Sequence, residues 1–428
     1  MTHAPRRVKL RGILFCIIVI YSVILTLSHN SNTCQNRTES KLVYVEKEVI
    51  GENQFSAKID CRHTFDLRAG RWDNQILYKL FDNVITGDHF YNLSTTYKVS
   101  LATQSSLEKL FSLQEVAAQW SGPISVAIYC AGNDELSLAL LYITYLRKCN
   151  INVRRKISFH FALPKDRMPT VVEYDFNFFS DTNCVHKDDM LNILLKKVTE
   201  STKKWRTTNP YPQNHMRNIA RKNCVTPYVF LTDVDVIPCN NMAEKLNKFL
   251  ETDKCDKCGF VIPTYEIDNR VSFPANKSEI VRLSKKQLAR PFHQKVFIYN
   301  QYATNFSRWE QDTTEGTVRV SHPVTNFEMF YEPFYVAKDS VPPHDERFIG
   351  YGFTRNTQVY EMYVAGYKFQ VVTPIFAVHW GLQDRRGRPY WREKQNSHNN
   401  KLFQTFKKEL FARYQNDPLH LVNRSFKH

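Results

Sequence analysis

Short apolar runs alternate with amphipathic stretches along the chain from residue 98 onward, and this alternation restricts the fold more than any other feature. The runs at 98–103, 124–129, 157–163, 228–232, 259–265 and 369–375 have strand length and are rich in β-branched and aromatic residues. Between them, 106–119, 135–147, 187–199, 213–221 and 242–251 carry apolar residues at helical spacing. Strands that alternate with helices in this way predict an α/β fold, a mainly parallel sheet with helices on both faces. Sheets of that kind bind ligands at the carboxyl ends of their strands. No internal repeat or low-complexity tract interrupts the pattern.

The N-terminus has a different character. Arg6, Arg7, Lys9 and Arg11 precede an uncharged apolar run from Gly12 to about Leu27. That run approaches the ~20 residues a bilayer core requires, and thinner early-secretory membranes accommodate short spans. Basic residues on its N-terminal side orient the N-terminus to the cytosol and the rest of the chain to the lumen. A cleaved signal peptide is the rival reading, but no clean small-x-small cleavage site follows Leu27. The layout expected is a cytosolic tail at 1–11, a signal-anchor at 12–28, a luminal stem at 29–96 and a catalytic domain at 97–428. Sequons at Asn36, Asn92, Asn276, Asn305 and Asn423 agree with luminal exposure. Nine cysteines follow the span, so at least one is free or intermolecular in an oxidising lumen. Cys255 and Cys258 form a C-x-x-C with no second pair to complete a zinc site, which favours a disulfide or buried thiols.

A net charge of +16 raises the question of nucleic acid. The Lys and Arg residues are dispersed and no nucleic-acid module accompanies them, so acidic small molecules, glycans or an anionic membrane surface explain the sign better. No nucleic-acid partner is expected.

The chemistry concentrates at residues 228–238, Tyr-Val-Phe-Leu-Thr-Asp-Val-Asp-Val-Ile-Pro. An apolar strand ends in two carboxylates one residue apart, a geometry that can set hard oxygen ligands at a sheet edge. There Mn²⁺ or Mg²⁺ would bridge Asp233 and Asp235 to a diphosphate and offset the charge on a leaving group. A strand-end turn with capping carboxylates is the bland alternative. Upstream, Pro212 suits a helix start, and Arg217 and Arg221 then share one helical face. With Asn214 beside it, Arg217 suits an anionic diphosphate or a sugar carboxylate; a solvated basic face is the alternative. Glu332, Asp345 and Glu346 offer carboxylates for general-base work, with Asp345 preferred. His379, just beyond a strand, is a candidate third metal ligand.

Several ordered motifs resemble glycosyltransferase family 49. They are Tyr211-Pro-x-Asn-x-x-Arg-Asn-x-Ala, Phe230-Leu-Thr-Asp-Val-Asp-Val-Ile-Pro, Arg290-Pro-Phe, Asn305-Phe-Ser-Arg-Trp, Glu332-Pro-Phe-Tyr-Val-Ala, Asp345-Glu-Arg-Phe, Tyr351-Gly-Phe and Val378-His. The resemblance covers roughly residues 97–415 and includes the second domain of the bifunctional LARGE enzymes. It implies a GT-A fold, a UDP-sugar donor, Mn²⁺ and inversion at the anomeric carbon. It further implies transfer of glucuronic acid from UDP-GlcA in β-1,4 linkage to xylose, priming the laminin-binding O-mannosyl glycan of α-dystroglycan. Carried onto this chain, Asp233 and Asp235 match the metal-binding carboxylates and His379 the late histidine. A Golgi type II membrane enzyme is therefore expected, acting as a homodimer or with other Golgi glycosyltransferases. A β-1,3-N-acetylglucosaminyltransferase extending poly-N-acetyllactosamine, or a silent luminal glycan-binding subunit, are the alternatives. The chain departs from its nearest relative in the family around 313–324, a difference on the acceptor side, and in its Cys255/Cys258 pair.

Overall fold

The computed structural model describes residues 62–64, 66–170, 173–175, 184, 187–313, 315–385 and 390–423. The signal-anchor expected at 12–28 lies outside them, and among the described residues no helix is long and apolar enough to cross a membrane. One compact unit spans Thr64–His428.

Its first half supplies strands β1 (Arg71–Trp72), β2 (Tyr78–Ile85), β3 (Val99–Ser106), β4 (Ile124–Tyr129), β5 (Ile157–Pro164), β6 (Tyr228–Leu231) and β7 (Val236–Pro238). The second half adds β8 (Cys258–Ile262), β9 (Thr264–Ile267), β10 (Ala289–Pro291), β11 (Arg319–Pro323), β12 (Phe334–Lys338), β13 (Lys368–Thr373) and β14 (Ala377–Trp380). The helices that matter for the site are α1 (Leu113–Gln119), α2 (Asn133–Cys149), α3 (Glu200–Thr208), α4 (Gln213–Lys222), α5 (Met242–Thr252) and α6 (Arg355–Val364). Ten strands form one sheet in the order β11-β13-β8-β12-β6-β3-β4-β5-β2-β1, and four form a second, β10-β9-β14-β7.

Burial on both faces explains the centre of the large sheet. Every residue of β4 and β5 is buried, as expected of inner strands covered on both faces. The bulky side chains Val126, Ile128, Phe159 and Phe161 enter the larger core with α1, α2 and α5. On the opposite face, Ala102, Ala127 and Ala162 are small, and Met216, Ile219 and Ala220 of α4 pack directly on them. Burying each of the large side chains contributes about 1.5–3 kcal/mol. Their removal of apolar area from water is what holds helices to both faces.

The α/β class is as expected, while the sheet is mixed: β3 pairs in parallel with β4 and β6, and β4 with β5. Antiparallel β12 inserts between β6 and β8. The strand expected at 259–265 is broken at Pro263, which has no N–H for a ladder; β8 stays in the large sheet and β9 joins the small one. The sheet also begins before the boundary expected at residue 97. Tyr78–Ile85, inside the stretch read as stem, pairs antiparallel with β5. A register shift between Phe81 and Ile85, with Asn83 at φ 51°, breaks its alternation and hides it in the sequence. Disulfides join Cys149 to Cys184 and Cys255 to Cys258; the free described cysteines are Cys130, Cys224 and Cys239.

Candidate active site

Strand β6 ends at Leu231, and the chain turns through Asp233 and Asp235 before β7 opens the small sheet. The turn closes with the Val236 N–H donating to the Asp233 carbonyl at 3.0 Å. The two carboxylates then meet different surroundings.

Asp233 faces two buried guanidiniums. Arg355, at the start of α6, donates to Asp233 Oδ1 at 2.7 Å and to the Leu231 carbonyl at 3.3 Å. Its guanidinium also lies 4.3 Å from the Phe334 ring centroid. Arg217 of α4 approaches the same Asp233 oxygen at 3.5 Å and donates to Asn214 Oδ1 at 3.1 Å. Burial pushes the Asp233 carboxyl up, but Arg355 and Arg217 outweigh it and hold the group below the usual carboxylate range. Burial and repulsion from Arg355 bring Arg217 down to about 10. Glu332, which feels the same two arginines, accepts from Asn300 Nδ2 at 2.6 Å, and burial raises its pKa.

Asp235 points the other way. Antiparallel pairing of β14 with β7 sets His379 opposite Val236, which brings its imidazole beside the preceding carboxylate. His379 Nε2 lies 3.7 Å from Asp235 Oδ2, and the Lys109 ammonium meets that same oxygen at 2.5 Å. The Gln383 amide lies 3.2 Å from His379 Nε2. Burial opposes ionisation of Asp235, yet His379 and Lys109 hold its pKa well below the usual range.

These donors fit a divalent ion unequally. An oxygen and a nitrogen face each other at Asp235 and His379, and the ammonium already bound there is half exposed and displaceable. Both arginines take Oδ1 of Asp233, so that carboxylate would offer an ion its Oδ2 alone.

Among the residues singled out in the sequence, Asp233, Arg217 and Glu332 share one charged cluster, with Asp235 and His379 beside it. Asn214 steadies Arg217 and donates to the Asp345 carbonyl at 2.8 Å. Both Asp345 carboxylate oxygens are bound by the Arg347 guanidinium, which also grips Glu409, so Asp345 is a latched carboxylate rather than a free one. Glu346 turns to Asn218 and His215. Arg221 binds Asp339 and the carbonyls of Val341 and Pro342, leaving the cluster to Arg217. Lys109, Arg355, Asn300 and Gln383 were not evident from the sequence. Arg355 follows the Tyr351-Gly-Phe motif, the one available signal for it.

The profile of the family described as glycosyl-transferase for dystroglycan matches residues 98–415. Human beta-1,4-glucuronyltransferase 1 is 32% identical over 323 residues, covering 75% of this chain and 77% of that protein. Human xylosyl- and glucuronyltransferase LARGE1 is 25% identical over 302 residues, covering 68% of this chain and 33% of its own length. Among solved structures, GalNAc-T7 with UDP, GalNAc and Mn2+ is 9% identical with a TM-score of 0.39, covering 74% of this chain and 50% of that one.

Proposed function

Because the chain belongs to the family of glycosyl-transferases for dystroglycan, we propose that it transfers glucuronic acid from UDP-GlcA, with inversion and in β-1,4 linkage, to a xylose acceptor. The acceptor is a glycan on a glycoprotein of the α-dystroglycan kind, and the enzyme works as a Golgi type II membrane protein with its catalytic domain in the lumen.

The observation that carries this reading is the pair of buried guanidiniums at the carboxyl end of β6. Arg217 and Arg355 converge on one carboxylate, and Arg217 Nε has no hydrogen-bond partner. A uronic acid brings a carboxylate that a neutral sugar lacks, and a buried carboxylate needs charged donors. An unused guanidinium N–H is such a donor.

Asp235 and His379 would hold Mn²⁺, or Mg²⁺ in its place, and the ion supplies positive charge to the diphosphate as UDP departs. Lys109, beside Asp235, would bring a further positive charge to the same diphosphate. Arg355 keeps Asp233 ionised and oriented. In the displacement the acceptor hydroxyl oxygen bonds to the anomeric carbon while the bond to UDP breaks, and the hydroxyl proton passes to a carboxylate. Glu332 is the better-placed acceptor of that proton, because burial raises its basicity and Asp345 is latched by Arg347.

A donor-by-acceptor screen of the luminal part tests the reading, pairing UDP-GlcA and UDP-GlcNAc with a β-xyloside and a lactosaminide. Turnover of UDP-GlcA onto the xyloside, lost with EDTA and restored by Mn²⁺, is the expected result. Faster transfer from UDP-GlcNAc to lactosaminide would refute the donor assignment. Normal UDP binding without any transfer would point to a silent glycan-binding subunit.

A further inference from the structure

A second cluster of ligating side chains lies on α4, one residue from Asn214. His215 is 1% exposed, and neither of its ring nitrogens has a hydrogen-bond partner. Its Nε2 stands 3.4 Å from Asp73 Oδ2 and 3.6 Å from Glu346 Oε2, and the three ligand atoms all lie within 4.8 Å of one another. These separations exceed an ordinary N–H···O bond of about 2.9–3.0 Å. They approach the edge of a tetrahedron: with zinc–nitrogen and zinc–oxygen bonds of about 2.0–2.1 Å, ligand atoms stand about 3.3–3.4 Å apart.

The carboxylates are prepared for the role. Asp73, with a side chain 2% exposed, takes the Leu77 and Tyr78 N–H groups on Oδ1 at 2.7 Å each, and that of Gln75 on Oδ2 at 3.2 Å. This fixes the direction of Oδ2 and leaves it a lone pair. Glu346 Oε1 accepts from Asn218 Nδ2 at 2.9 Å, which leaves Oε2 facing the imidazole. Outer hydrogen bonds of this type orient metal ligands.

We propose that Asp73, His215 and Glu346 bind a zinc-class divalent cation, a site separate from Asp235 and His379. Three protein ligands leave a fourth position for water on the Glu346 side, whose side chain is 21% exposed. The cation ties the turn after β1 and the loop preceding α6 to α4. On that same helix Asn214 reaches the Asp345 carbonyl and Arg217 reaches Asp233, so the ion is structural and fixes the helix that presents them.

The test uses the full chain in an Asp235→Asn background, which disables the other candidate site. After zinc loading and extensive dialysis, elemental analysis is expected to find stoichiometric zinc. Addition of His215→Asn should lower it at least tenfold. Glu346→Gln, a partly exposed change that leaves the core intact, covers the case in which the His215 variant does not fold. Co²⁺ added to the metal-free chain should give the intense visible bands of tetrahedral cobalt, and Glu346→Gln should abolish them. No bound zinc in the Asp235→Asn chain would overturn the proposal. So would zinc and cobalt bands that survive in Glu346→Gln, because the metal would then be held without this ligand.

Discussion

His160 makes the stability of this protein depend on pH in a way that can be worked out atom by atom. It sits fully buried in β5, and its Nδ1 accepts the Asn83 backbone N–H at 2.9 Å. Nδ1 is therefore unprotonated, and Nε2 carries the hydrogen. Ser125 Oγ gives its own hydrogen to the Ala220 carbonyl at 2.6 Å, so it accepts from His160 Nε2 at 2.9 Å. The relay runs from β2 through β5 and β4 to α4 and satisfies each group once. A second proton on the ring would place an Nδ1–H against the Asn83 N–H, two donors facing each other. Burial lowers the His160 pKa to about 4, with Asp82 opposing. A depressed folded value means the unfolded chain takes the proton first, so the stability is complete above the ordinary value of 6.5 and is lost as pH falls toward 4. The linkage removes about 2 kcal/mol between pH 7 and pH 5, and about 3 kcal/mol once pH is well below 4. Urea unfolding of the wild type and of His160→Gln at both pH values isolates this contribution, because the other titrating groups are common to both. The variant should be less stable at pH 7 yet lose about 2 kcal/mol less on acidification. Equal losses in the two proteins would refute the reasoning.

Asp235→Asn should lower turnover by about a hundredfold or more while leaving the unfolding transition in place, measured with Mn²⁺ controlled by a chelator. Arg355→Ala removes a charge-assisted hydrogen bond worth about 1.5–3 kcal/mol, so kcat/KM for the donor should fall roughly tenfold to a hundredfold; an unchanged value would exclude Arg355 from the site. Phe161→Ala opens a cavity in the larger core and should cost about 3–5 kcal/mol in denaturant unfolding, with no change in KM for the protein that remains folded.

The sequence disclosed most where burial is uniform. Runs such as 124–129 and 157–163 are apolar because both faces are covered, so they could be read without any knowledge of neighbours. Tyr78–Ile85 was hidden for the opposite reason: its bulge spoils the period-two pattern that marks a strand covered on one face. The antiparallel insertion of β12 could not be read either, since strand order depends on pairing rather than on composition. At the site, Asp233 and Asp235 announce themselves by following a strand. Lys109 and Arg355 do not, because their partners lie 126 and 122 positions away along the chain. Asp345 shows the limit of a motif: its place in Asp-Glu-Arg-Phe marked it as a base, but the arginine two residues on binds its carboxylate.

The passage of the chain from the large sheet to the small one has a consequence for length variation among relatives. Residues 232–235 are the whole bridge between β6 and β7. Val236 and Ile237 beyond it are buried and held in register against His379 and Val378. One inserted or deleted residue would shift that ladder by a pleat, turning each side chain of β7 to the opposite face. Asp235 would then lose His379 and Lys109 together. This bridge should therefore tolerate substitution better than any change of length.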